Sequence, residues 1–146
     1  MGHTEEDKVI LLVEDTEDDI ELTLLALERS KISNRVVVAR DGAEALAYLF
    51  GTGETDQPPP PMPQVVLLDL KLPKVSGLEV LQRIRADART RRLPVVILTS
   101  SSEEQDLMRG YDLGANSYIS KPVDFNQFTQ AVQTMGLYWL VLNKTP

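Results

Sequence analysis

The chain has 146 residues, 42% hydrophobic and 25% charged, with a net charge of -7. That size and balance suit one soluble domain with a sizeable core and are too polar for a membrane protein, while the acidic excess argues against nucleic acid and for a protein partner. With no cysteine and a single histidine, His3, the sequence excludes a disulfide framework, a thiol nucleophile, an imidazole triad and a histidine-rich metal site, so any phosphohistidine must come from another protein.

Residues 1–7 read as a flexible acidic tail, and MGHTEEDK lacks the apolar stretch of a signal peptide. Glu6 breaks the myristoylation pattern and no apolar run approaches a bilayer span, which leaves the cytoplasm as the expected compartment. Five apolar, largely β-branched runs follow, at Val9 to Val13, Arg35 to Ala39, Val65 to Leu70, Pro94 to Thr99 and Asn116 to Ser120, each succeeded by a segment with helical spacing. After the first, Ile20, Leu24 and Leu27 recur at helical spacing, with Thr16 as the N-cap and Glu17, Asp18 and Asp19 in the first turn, where they complement the helix dipole. The second helix, Ala43 to Phe50, stops at Gly51. The stretch GTGETDQPPPPMP then forbids helix and reads as a stiff extended connector, with a proline-recognition ligand as the minority reading. Gly77 to Ala88 is the third predicted helix, and Glu103 to Leu113, opened by Ser102 and closed by Gly114, is the fourth. Asp124 caps a fifth, which places Phe125, Phe128, Val132, Met135 and Trp139 on one face.

Alternating strands and helices of these lengths predict an α/β domain with a doubly wound parallel sheet, whose ligands sit beyond the carboxyl ends of the strands. Those ends carry Glu14 and Asp15, then Asp69, then Thr99 and Ser100, then Lys121 and Pro122. Singly, Asp69 reads as a loop-capping aspartate, Glu14 and Asp15 as a solvated helix entry and Lys121 as a surface lysine. Together they are polar groups from four strands converging on one rim. Carboxylates so close repel one another unless a cation joins them, and oxygen donors alone suit a hard ion such as Mg²⁺. An aspartate beside Mg²⁺ can attack a phosphoryl group, with Lys121 and the Thr99 hydroxyl pairing its oxygens.

The stretches ILLVED, VVLLDLKLPKVSGLEVL, PVVILTSS and GANSYISKPVD stand in the order and spacing of the receiver domain of two-component response regulators, which the chain resembles from Val9 to about Asn143. The resemblance implies a flavodoxin-like (βα)5 sheet of strand order 2-1-3-4-5, a single receiver domain over residues 8–146 with an extended carboxyl-terminal helix, and no output domain. It implies Asp69 as phosphoacceptor, with Mg²⁺ held by Asp15, Asp69, the backbone carbonyl of Lys71 and, through water, Glu14, where many members have aspartate. Thr99 is then the switch hydroxyl, Tyr118 the aromatic that follows it, Lys121 the phosphate-pairing lysine and Lys121-Pro122 a candidate cis bond. Lys71 and Ser101, each two residues beyond a site residue, lie near the path of hydrolytic water and are expected to tune dephosphorylation. The resemblance also implies a sensor histidine kinase as partner, a downstream protein target, and no catalysis beyond the domain's own phosphotransfer and autodephosphorylation. The VED start, the proline-rich loop and the long ending resemble stand-alone regulators that partner bacterial phytochrome histidine kinases. In GLYWLVL, the apolar Leu137, Tyr138, Trp139 and Val141 predict a two-fold homodimer interface, against the alternative of a terminal turn folded over its own core. Two further alternatives are a phosphorylation-independent dimeric adaptor of the same fold and a haloacid-dehalogenase-like phosphohydrolase. The latter expects a second aspartate where this chain has Lys71.

Overall fold

A computed structural model describes residues 9–30, 32, 34–51, 60–99, 109, 112–121 and 125–134. The strands β1 (Val9–Val13), β2 (Arg35–Ala39), β3 (Val65–Asp69), β4 (Val95–Thr99) and β5 (Ser117–Ser120) form one sheet of order β2-β1-β3-β4-β5 with every pairing parallel. Helices α1 (Glu17–Arg29), α2 (Gly42–Phe50), α3 (Gly77–Ala86) and α4 (Phe125–Thr134) connect and cover it. The helix predicted over 103–113 and most of the proline-rich loop fall outside the described residues, as do Ser101, Pro122, Leu137, Tyr138, Trp139 and Val141.

Every residue of β1, β3 and β4 is buried, as a parallel sheet covered on both faces requires. Alternate side chains feed two cores. Ile10, Leu12, Leu67 and Leu98 meet Ile20, Leu27, Phe128 and Val132 on one face, while Leu11, Leu68 and Ile97 meet Leu49, Val80, Leu81 and Ile84 on the other. The outer strands β2 and β5 are partly exposed. Among the described residues, no helix is long and apolar enough to cross a membrane.

Several boundaries differ from the sequence reading. Asp41, whose carboxylate accepts from the Glu44 amide at 2.8 Å, starts α2 one residue earlier, and α3 stops at Ala86, two residues early. The strands β3, β4 and β5 are each one residue shorter than expected. Thr16 occupies the N-cap position of α1 without a side-chain capping bond. On α1 Thr23 joins Ile20, Ala26 and Leu27 on the buried face, its hydroxyl donating to the Asp19 carbonyl at 2.8 Å, and Leu24 faces outward at 37% exposure. Phe125, expected on the inner face of its helix, is also exposed, leaving Phe128, Ala131 and Val132 to fill the core.

Candidate functional site

The polar residues collect where β1, β3, β4 and β5 end. Glu14 continues the ladder one residue past β1, its amide donating to the Ala39 carbonyl at 2.9 Å, and is fully buried. Its Oε2 accepts from the amides of Asp15 and Thr16 at 3.1 and 3.3 Å, so the carboxylate itself orders the turn that Thr16 was expected to cap. Asp15 is exposed beside it.

Asp69 closes β3 at 5% exposure, paired in register with Leu98, and its Oδ1 accepts from the Lys71 amide at 3.1 Å. Close packing of the next helix fixes its main chain. The Gly77 amide donates to the Leu70 carbonyl at 3.0 Å, and a Cβ at Gly77 would collide with the Asp69 carbonyl oxygen. The loop between turns through Lys74 at φ 67°, a left-handed position for a non-glycine residue, with the Val75 amide donating to the Pro73 carbonyl at 2.8 Å.

Thr99 ends β4 almost completely buried, and its carbonyl accepts from the Lys121 amide at 2.9 Å. That bond aims the lysine along the rim. Its Nζ lies against Glu14 Oε1, 3.1 Å from Asp69 Oδ2 and 3.1 Å from Asp19 Oδ2, with the side chain 6% exposed. Tyr118, in register with Ile97, stands at the surface with 42% exposure.

The site thus brings together Glu14, Asp15, Asp69, Thr99, Lys71 and Lys121, as the sequence suggested, and adds Asp19, whose sequence signal is only that of a helix-dipole acid. The one hint was its place in the turn following the β1 rim.

Electrostatics follow from this crowding. Burial, reinforced by Asp69 and opposed by Lys121, raises the Glu14 pKa from the ordinary 4.5 to about 7. Burial alone would lower that of Lys121, yet Glu14, Asp69 and Asp19 outweigh it and hold the ammonium above the usual lysine value.

Glu14, Asp15 and Asp69 each offer a carboxylate oxygen, all within 4.8 Å of one another. An oxygen-only set this tight fits a hard divalent cation, and Lys121 already supplies positive charge to two of its members. A surface cavity of about 260 Å³ lies elsewhere, between β5 and α4, lined by Tyr118, Ser120 and Gln127 among others.

Comparison with known proteins fits this arrangement. The family model of the response regulator receiver domain matches residues 10–133. The response regulator Rcp1 of Synechocystis sp. is 40% identical over 133 residues, covering 91% of this chain and 89% of its own. A structure of Rcp1 in a Mn²⁺-bound form aligns at a TM-score of 0.76 and 39% identity over 95% of this chain and 99% of that one. The bacteriophytochrome response regulator AtBRR aligns at 0.80 with 58% identity, covering 94% of this chain and 98% of its own. A second, RtBRR, aligns at 0.82 with 56% identity over 95% and 84%. A (βα) sheet of order 2-1-3-4-5, an acidic rim of the kind at which receivers bind Mg²⁺ or Mn²⁺, and a family match over most of the sequence agree: the chain belongs to the response regulator receiver family.

Proposed function

We propose that this receiver takes a phosphoryl group from the phosphohistidine of a sensor histidine kinase onto Asp69 in a Mg²⁺-dependent step, and that phosphorylation changes its affinity for a partner protein. The observation that carries this is the Asp69 carboxylate, buried at a strand end beside Glu14 and Asp15 and 3.1 Å from the Lys121 ammonium.

The Lys71 amide orients the carboxylate by holding Oδ1. An Asp69 oxygen forms the new bond to phosphorus as the phosphorus–nitrogen bond breaks, and the electron pair leaves on the kinase imidazole. Lys121 pairs with the phosphoryl oxygens and the Thr99 hydroxyl donates to them, with Tyr118 following Thr99 inward. Asp15, Asp69, the Lys71 carbonyl and, through water, Glu14 would hold Mg²⁺, which would supply positive charge beside the transferring group. The chain's catalysis is confined to its own phosphotransfer and dephosphorylation, the latter tuned by Lys71 and Ser101. The difference between the two states acts as a switch because the partner binds them unequally.

The kinase in this reading is a bacteriophytochrome, since two relatives of more than half identity are bacteriophytochrome response regulators. A cytoplasmic setting and a homodimer built on Leu137, Tyr138, Trp139 and Val141 complete it; the net charge of -7 supports protein rather than nucleic-acid contacts. Phosphotransfer from a bacteriophytochrome kinase, or labelling by acetyl phosphate, is expected to vanish in Asp69→Asn. Undiminished label in that variant would overturn the assignment.

A further inference from the structure

We propose that Asp19 is the positioning residue that keeps Lys121 at the site when a divalent cation takes up Glu14 and Asp69. The inference rests on the metal-binding reading above and deepens it. Lys121 meets three carboxylates, and they are not equivalent. Glu14 and Asp69 belong to the tight oxygen cluster with Asp15; Asp19 does not. An ammonium and a dication cannot both lie against Glu14 and Asp69 without strong mutual repulsion, so they compete for the same two carboxylates.

Asp19 offers the ammonium a place to stay. It comes from a different element, the first turn of α1, where the Thr23 hydroxyl bonds to its carbonyl and fixes the backbone. Its side chain is 23% exposed, against 0% for Glu14 and 7% for Asp69, so solvent moderates its charge while the other two are occupied. The neighbouring acid Glu17 is committed elsewhere, to Arg40 at 2.7 Å. Lys121 in turn has little freedom to withdraw, because its amide is tied to β4 and its side chain is enclosed. A short swing toward Asp19 would take the ammonium off Glu14 and Asp69 and still keep it at the rim, within reach of a phosphoryl oxygen.

The test is Mg²⁺ affinity, measured by titration calorimetry on the wild-type chain, Asp19→Asn, Lys121→Met and the double variant. Asp19→Asn is expected to weaken Mg²⁺ binding about tenfold while Lys121 is present, and by no more than about twofold once Lys121→Met has removed the competing cation. Asp19→Glu should recover most of the affinity. Equal losses in both backgrounds, or tighter binding in Asp19→Asn, would overturn the role. Should Lys121→Met lose its fold, Asp19→Glu decides alone, since an affinity no better than that of Asp19→Asn removes the specific contact from consideration. Failure of the wild-type chain to bind Mg²⁺ at all would instead sink the reading of the cluster itself, and this inference with it.

Discussion

At the carboxyl ends of the strands the Lys121 ammonium meets Glu14, Asp19 and Asp69. At the amino ends the Arg85 guanidinium donates to the carbonyls of Leu93 at 2.6 Å, Arg91 at 3.2 Å and Gly114 at 2.7 and 3.0 Å, and to the Asn116 amide oxygen at 3.0 Å. No carboxylate among the described residues pairs with it. Both cations are drawn out of water, and their pKa values move in opposite directions: burial lowers that of Arg85, while the carboxylates lift that of Lys121. Neutral acceptors satisfy a planar fork and leave nothing for another ligand to bind. Carboxylates around a point charge are more acidic groups than one lysine can neutralise, and a dication can share or take them. One end of the sheet is thereby a fastening and the other an exchangeable site.

Removing each cation should separate the two. Arg85→Ala strips the acceptors of Leu93, Gly114 and Asn116 at once, at the edge where β4 and β5 begin, and is expected to cost about 3–5 kcal/mol. Mg²⁺ should not restore it. Lys121→Met leaves Glu14, Asp19 and Asp69 without their shared cation and is expected to cost about 2–4 kcal/mol in chelator, yet to recover in millimolar Mg²⁺. Urea unfolding of both variants with and without Mg²⁺ checks the contrast. A Lys121→Met deficit that Mg²⁺ leaves untouched would make the two ends equivalent.

Proton competition sharpens the same contrast. Glu14, raised to about 7, binds a proton in the folded chain that it does not bind in the unfolded one between its ordinary 4.5 and that value. Its contribution to the stability of the metal-free chain therefore falls as pH rises through this window. A metal must displace the same proton, so Mg²⁺ affinity should rise about tenfold between pH 6 and 8 and then level off. Calorimetry in buffers of different ionisation heat would detect the released proton near pH 7, and Glu14→Gln should abolish the release.

The sheet was legible in the sequence because strands buried on both faces leave unbroken apolar runs, as in Val9 to Val13 and Val65 to Leu68. The rim was legible because polar residues ended four such runs. Partners distant along the chain were not. Asp19 lies 102 residues from Lys121, and Arg85 lies 29 and 31 residues from Gly114 and Asn116. A guanidinium satisfied mostly by main-chain carbonyls leaves no mark on the side chains of those acceptors, and Asn116 alone contributes a side-chain oxygen. Periodicity favoured Leu24 over Thr23 because it weighs apolarity, whereas the Thr23 hydroxyl is satisfied inside the helix by the Asp19 carbonyl and can be buried.

The smallest expected effect tests whether the rim's side chains serve the site rather than the local fold. Asp41 and Thr16 precede α2 and α1 at equivalent positions, and only Asp41 caps with its side chain. Asp41→Ala should cost about 1 kcal/mol, because the Glu44 amide loses its acceptor and Lys74 an ion pair at 3.4 Å. Thr16→Ala should cost less than about 0.5 kcal/mol, since the role expected of its hydroxyl has passed to Glu14, whose Oε2 receives the Asp15 and Thr16 amides. The same two amides hold that carboxylate in place while Oε1 faces Lys121. Thr16→Ala leaves this bond intact, because the donor is main chain, and Mg²⁺ affinity should not change. A Thr16→Ala loss as large as that of Asp41→Ala, in stability or in Mg²⁺ affinity, would mean that the hydroxyl supports the entry to α1 and that Glu14 is not held by its own turn.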